Sequence, residues 1–316
     1  MSISFIMGGH VAPDIGVVDE FCARYPLIRQ AFDDASAWTG VSAAELRAGA
    51  VHDVQQRGMQ DTVGKLSQAA LVIGMHDELA SHGIRPHAVG GLSLGSRIGA
   101  CLSGSVNRPE LFAMLHHERL VPPPDGPAQG LAALTLSGAD DPADYYGTNR
   151  RGIHLACNHG RTRGGERRRI LVGGYLDALE TFGKSLPPST FRMLDLYEGA
   201  YHTPLAGHFT DFMAPYITDM TFRDPAITLC VPNESGPLTC ADEVRTSYIE
   251  HGVTAVRMEL LLEQLVRIGT RAVIALGPGL VDELSVDPMK LTRVTAPDDL
   301  RAVIDTLHAA INTSTP

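Results

Sequence analysis

The chain has 316 residues and a mass of 33.9 kDa, with 44% hydrophobic and 20% charged residues, so a large core can form and wholesale disorder is excluded. Its formal net charge of −10 argues against nucleic acid or an anionic membrane as partner, because both select a basic footprint. No apolar run approaches the roughly 18–20 residues that span a bilayer, and the length fits two domains or one α/β domain with an insertion.

Elements follow in chain order. Residues 4–7 read as a first strand entering a glycine turn; without a basic n-region, the N-terminus is not expected to be a signal peptide. Residues 26–37 read as a helix. Residues 65–82 form a longer one, stopped by Gly83 and followed by Pro86. A short strand at 87–90 precedes a helix from Leu94 onward. After the break at 121–127 (VPPPDGP), strands are expected at 131–136, 153–157 and 170–172, then a helix at about 175–183. Pro187-Pro188 closes this stretch, which reads as a small inserted α+β unit at about 125–198. A βα unit is expected near the end: strand 272–276, the turn Gly277-Pro278-Gly279, and helix 280–284. Alternating strands and helices imply a mostly parallel, covered sheet. The cysteines (Cys22, Cys101, Cys157, Cys230, Cys240) are odd in number and scattered, which speaks against a disulfide scaffold or structural zinc and for a reducing cytoplasm.

Gly91-Leu92-Ser93-Leu94-Gly95 carries the chemistry. A G-x-S-x-G between a strand and a helix is the nucleophile-elbow pattern: the serine sits on a tight turn, and the glycines remove Cβ atoms that would clash. The Leu94 backbone N–H, opening the helix, can stabilise an oxyanion. A serine needs a base. Thirteen histidines are available, and the residues alone do not single one out. His116-His117-Glu118 lacks zincin spacing, His10 lies in the first glycine turn, and His208 is expected in a helix. His202, in Gly199-Ala200-Tyr201-His202-Thr203-Pro204, is preferred.

With Ser93 in its elbow, the chain resembles the malonyl-CoA:acyl carrier protein transacylases and the acyltransferases of polyketide synthases. Phe5-Ile6-Met7-Gly8-Gly9-His10 stands where that family has Phe-Pro-Gly-Gln-Gly-Ser-Gln. Leu92-Ser93-Leu94-Gly95 matches the nucleophile segment. Gly199-Ala200-Tyr201-His202-Thr203 resembles the segment with the catalytic histidine, and Val273 to Leu284, with Gly277-Pro278-Gly279, resembles the C-terminal strand and turn. The resemblance implies an α/β-hydrolase-like large subdomain (1–124 and 199–316) with an inserted ferredoxin-like small subdomain (125–198). It further implies a ping-pong Ser93–His202 acyltransferase, with oxyanion donors at the Leu94 and His10 backbones. No metal or bound cofactor is implied; phosphopantetheine would arrive on CoA or on the partner acyl carrier protein.

Three departures from the family pattern stand out. Its carboxylate-binding arginine lies about 25 residues beyond the serine, where ungapped counting places Glu118, with Arg119 adjacent. The first-turn glutamine is replaced by His10. The Asn-Pro-Val-(Gln/Arg)-Trp segment appears as Thr254-Ala255-Val256-Arg257-Met258, which leaves Arg257 either toward substrate or in a surface ion pair. These losses point to a non-malonyl acyl group (aminoacyl, peptidyl, fatty or polyketide) in natural-product, including antibiotic, biosynthesis, with Tyr201 and Met258 as pocket walls. Ordinary malonyl transfer, an editing thioester hydrolase and a non-catalytic carrier-binding module remain alternatives. Seven arginines (Arg150, Arg151, Arg161, Arg163, Arg167, Arg168, Arg169) fall within twenty positions and could dock an acidic carrier protein; a solvated loop is the plainer reading.

Overall fold

The computed structural model describes residues 2–50, 57–162, 164–194 and 199–313. The chain runs β1 (Ile3–Met7), α1 (Ile15–Arg24), α2 (Pro26–Thr39), α3 (Ala43–Ala48), α4 (Arg57–Ser81), β2 (Ala88–Gly91), α5 (Leu94–Leu102) and α6 (Arg108–His117). It continues through β3 (Gln129–Ser137), β4 (Ile153–Arg161), β5 (Arg167–Tyr175), α7 (Leu176–Lys184) and β6 (Phe191–Met193). It then returns with α8 (Gly207–Thr218), β7 (Thr228–Cys230), α9 (Ala241–Ile249), β8 (Val256–Arg257), α10 (Met258–Arg267), β9 (Ala272–Leu276), β10 (Lys290–Val294) and α11 (Pro297–Thr313).

β1 is buried along its whole length, as a strand covered on both faces must be. Its side chains alternate: Phe5 and Met7 join the core under α2, α4 and α5, while Ile6 joins the core under α10. The sheet is parallel throughout, in the order β10-β9-β1-β2-β7. Strand order reverses at β1, with β2 and β9 on either side of it. A crevice therefore opens at the carboxyl ends of these three strands, the usual ligand position in open α/β sheets. The loop carrying His10, the Ser93 turn and the Gly277–Gly279 loop all leave the sheet there.

The second sheet has the order β6-β3-β5-β4-β8. Its first four strands are antiparallel and, numbered along the chain, lie 4-1-3-2, which is the ferredoxin-like order. Two short 3₁₀ turns (Pro142–Tyr145 and Gly147–Asn149) stand where a first crossover helix would be. One face packs Leu134, Ile170 and Val172 against Leu179 and Phe182 of α7. The fold is thus α/β with an inserted ferredoxin-like layer. The fifth strand, β8, comes from outside 125–198 and pairs parallel to β4, which ties the insertion to the large sheet.

The expected strands all form, at 3–7, 88–91, 129–137, 153–161, 167–175 and 272–276. The expected helix at 280–284 does not. Gly277 and Gly279 have φ of 73° and 94°, and the segment continues as a loop whose Leu284 bridges Thr162. β10 follows instead.

Glycine is obligatory at the strand ends. A Cβ on Gly95 would stand 2.5 Å from the Met7 carbonyl oxygen and 2.7 Å from that of Gly8. Gly95→Ala is expected to cost on the order of 2–4 kcal/mol in urea unfolding. Gly207, with open space and φ −53°, is the control: Gly207→Ala should be neutral or stabilising by less than about 1 kcal/mol.

Candidate active site

Ser93 follows β2 after one intervening residue and caps α5, with φ 51° and ψ −120°. Among the described residues only Ser93 and His202 are non-glycine residues with positive φ. Such backbone costs on the order of 1–3 kcal/mol at each position and persists only where surroundings impose it. At Ser93 the glycines at 91 and 95 allow the turn. At His202 the backbone N–H donates to the Gly252 carbonyl (2.7 Å), which anchors the segment. The two side chains meet: Ser93 Oγ lies 2.8 Å from His202 Nε2, with Ser93 partly accessible and His202 9% exposed.

The tautomer follows from one further contact. His202 Nδ1 lies 2.9 Å from the His251 carbonyl oxygen, which can only accept, so Nδ1 carries the proton. Burial, then the positive charge of Arg97, pushes the imidazole down to about pKa 4, so it is neutral near pH 7. Nε2 is then an acceptor, and the Ser93 hydroxyl donates to it. A serine hydroxyl on a neutral imidazole, oriented by a carbonyl, has the geometry of a nucleophile–base pair. The His251 ring stands edge-on to that of His202 at 4.9 Å, and burial together with Arg97 keeps it well below the ordinary histidine pKa as well.

The pair opens into a cavity of about 500 Å³ between the two sheets. One register row of the second sheet, Arg192–Ala133–Leu171–Cys157–Val256 across five strands, lies along it. Arg169, exposed, lies on the same face one pair along, opposite Thr135, and Arg192 is also exposed. Leu92, Leu115 and Phe209 make the inner wall. Gln68, fully buried, holds the first turn in place: its Oε1 accepts from Val11 N–H (2.9 Å) and its Nε2 donates to the Gly9 carbonyl (3.0 Å). His10 and Leu94 thereby line the cavity beside Ser93.

Glu118 also lines the cavity, but it is not a bare carboxylate. Lys65 Nζ donates to it at 3.0 Å and Arg97 Nη1 donates to its other oxygen. Lys65 continues to Asp61 at 2.6 Å, and Asp61 meets His10 Nδ1 at 3.2 Å. Burial opposes every charge here, yet Lys65 and Arg97 hold Glu118 below the usual carboxylate range, and Glu118 and Asp61 hold Lys65 above its own. Two anions and two cations balance.

Of the remaining expected residues, Tyr201 lines the cavity, with its ring edge-on to Phe209. Arg119, Arg257 and Met258 are not brought to it. Arg119 donates to the His116 carbonyl (2.7 Å). Arg257 is exposed because strand alternation turns its neighbour Val256 inward, and Met258 is 1% exposed in the core under the large sheet. Of the arginine cluster, Arg150, Arg151, Arg161 and Arg167 are exposed. Arg168 is not a free surface cation: it is 9% exposed and paired with Glu259 at 2.9 Å. Arg167 shares a hollow with Glu166, Asp282 and Glu283, which offset its charge. Arg163 lies outside the described residues. Among the described residues, no cluster of metal-ligating side chains forms, and no helix is long and apolar enough to cross a membrane.

Solved structures match this arrangement over nearly the whole chain. The malonyl-CoA:ACP transacylase of Synechocystis superposes with a TM-score of 0.79 at 17% identity, covering 96% of this chain and 100% of that one. A malonyl-transacylase solved in complex with its type II polyketide synthase acyl-carrier protein gives 0.79 at 16% identity, covering 97% and 100%. The fold is theirs. The acyltransferase domain from the second module of the salinomycin polyketide synthase shares it too, with a TM-score of 0.76 at 21% identity over 97% of this chain and 72% of that chain. No family model matches the chain, and no curated protein matches it. Within this fold, the chain places a serine–histidine pair at the crevice and a balanced ionic group beside it.

The neutral His202 makes a test independent of substrate. At pH 5.5 an ordinary imidazole is about nine-tenths protonated and useless as a base. His202, at about 4, keeps its lone pair and loses it only as pH falls further. Labelling of Ser93 by a fluorophosphonate should therefore proceed at pH 5.5 within about twofold of its rate at pH 7.5; a drop of tenfold would show a solvated, ordinary histidine.

Proposed function

We propose that the protein is an acyltransferase that moves an acyl group from a thioester through Ser93 onto the thiol of an acyl carrier protein. The observation carrying this reading is the 2.8 Å contact between Ser93 Oγ and the neutral Nε2 of His202, at the base of the crevice in a fold shared with transacylases. Ser93 Oγ attacks the thioester carbonyl while His202 Nε2 takes its proton. The oxyanion accepts from the Leu94 and His10 backbone N–H groups. The carbon–sulfur bond breaks and the thiol leaves with the proton from His202. A second thiol, deprotonated by the same nitrogen, attacks the acyl-serine, and the serine regains its proton as the carbon–oxygen bond breaks.

The acyl group is not malonyl on this reading. A free carboxylate needs a cation with charge to spare, and the two inner cations are matched by Glu118 and Asp61. The apolar wall suits fatty or polyketide chains. Arg169 and Arg192, exposed at the rim, are placed to meet the phosphate that joins the pantetheine arm to CoA or to the carrier protein. Arg169 is thus the member of the arginine cluster placed to act at the cavity, joined by Arg192 from outside it, with Arg150, Arg151 and Arg161 as outlying contacts for an acidic partner.

Intact-protein mass spectrometry after incubation with acyl-CoAs and acyl-loaded carrier proteins tests this. An acyl adduct should form, vanish in Ser93→Ala and form about 10²–10⁴ times more slowly in His202→Ala. Adduct formation with malonyl-CoA alone would return the protein to malonyl transfer, and rapid release to water without carrier protein would make it a hydrolase. Arg169→Glu with Arg192→Glu should raise KM for the carrier protein at least about tenfold while kcat changes little.

A further inference from the structure

The innermost cation offers the cavity more than a counter-charge. Arg97 lies one helical turn after Ser93, on the same face of α5, so both side chains reach the same space. It is 3% exposed. Nη1 is spent on Glu118, while Nε and Nη2 have no hydrogen-bond partner among the described residues. These two N–H groups form the side-on fork of a guanidinium, parallel and pointing one way. A buried donor pair without a partner is costly, and proteins keep such a pair where something else supplies the acceptor. The ring faces of Phe209 and Tyr248, 6.0 and 5.8 Å from Cζ, and the Tyr248 hydroxyl bond to the Arg97 carbonyl hold the side chain and its backbone in place.

We infer that Arg97 is a specificity-determining residue whose Nε and Nη2 bind a neutral oxygen acceptor on the acyl chain, such as a 3-oxo or 3-hydroxy group. The inference rests on the acyl-transfer reading for its substrate class. Charge selects the neutral acceptor over a carboxylate. Glu118 already neutralises the guanidinium, and a second carboxylate would lie beside Glu118 in a buried site. A ketone or hydroxyl oxygen gains the fork without that repulsion. A plain alkyl chain enters the same apolar wall but leaves both donors unmatched, which a site built to hydrogen-bond disfavours strongly.

Binding to Ser93→Ala protein tests this without turnover. Calorimetric titration with 3-oxobutanoyl-, butanoyl- and malonyl-pantetheine thioesters should show the 3-oxo compound binding at least about tenfold more tightly than the other two. Arg97→Lys keeps a cation for Glu118 but loses the fork, and should reduce the 3-oxo preference to less than about threefold. If that variant fails to fold, Arg97→Met with Glu118→Gln removes both charges and should give the same loss. Equal binding of 3-oxobutanoyl and butanoyl compounds, a preference that survives the Arg97 variants, or tighter malonyl binding would each overturn the inference. Protein with Ser93 intact, mixed with the same thioesters, separates the two readings: absence of any acyl-serine would overturn acyl transfer, while the binding ratios still decide Arg97.

Discussion

Backbone crowding at the carboxyl ends of β1, β2 and β9 is the constraint from which the site follows. A Cβ on Gly8 would lie 2.2 Å from the Gly279 carbonyl carbon, and one on Gly279 would lie 2.1 Å from the Gly9 carbonyl oxygen. The loops after β1 and β9 can therefore touch only through glycine. The same crowding holds between Gly91 and Gly95, whose backbones close the elbow around Ser93. With three backbones drawn together, the Ser93 side chain meets His202 and lines the cavity, and the Leu94 and His10 segments stand beside it. The strained φ at Ser93 is a consequence of this packing.

A second constraint is electrostatic, and it links the base to the pocket wall. Arg97 acts on both His202 and His251, helping burial to keep them neutral. Burying that cation requires Glu118, and burying Glu118 beside the cavity is eased by Lys65, itself matched by Asp61. The ionic group therefore holds its own members charged at the cavity wall while the histidines beside it remain neutral. Replacing one member alone would leave a neighbour buried and unpaired, which couples stability to reactivity at this end of the cleft.

What could be read from the sequence was what is local. The Ser93 turn is written in five consecutive residues, and the strand before it and helix after it lie within ten positions, so the elbow was legible. His202 was not selected by its own neighbours. Its tautomer depends on a carbonyl 49 residues away and its backbone on Gly252, so its own segment favoured it only weakly and resemblance added the weight. Counting from Ser93 pointed to Glu118, which lines the cavity, yet its meaning changed with partners 21 and 53 residues distant. Arg97 carried a usable signal, since position i+4 from a nucleophile that caps a helix shares its face. The helix expected at 280–284 failed because the Gly277–Gly279 turn is shaped by the β1 loop it touches and not by its own sequence. The same holds for β8, two residues long, which is a strand only because β4 offers an edge.

The second sheet turns these separate features into a graded passage. Its cavity face presents Arg169 and Arg192 at the exposed rim, Ala133, Leu171, Cys157 and Val256 along the middle, and the large subdomain supplies the paired charges at the closed end. On the acyl-transfer reading, a phosphate left at the rim would keep its hydration and meet two cations. An alkyl chain drawn along the middle gives up water at about 25 cal/mol per Å² of apolar surface. At the closed end, charge neutrality removes the long-range attraction that would hold any anion, so discrimination there falls to directional hydrogen bonds. On the acyl-transfer reading, affinity for the arm and selectivity for its cargo arise from different residues on different layers, and β8, carried by the large subdomain but paired in the small sheet, ties those layers together.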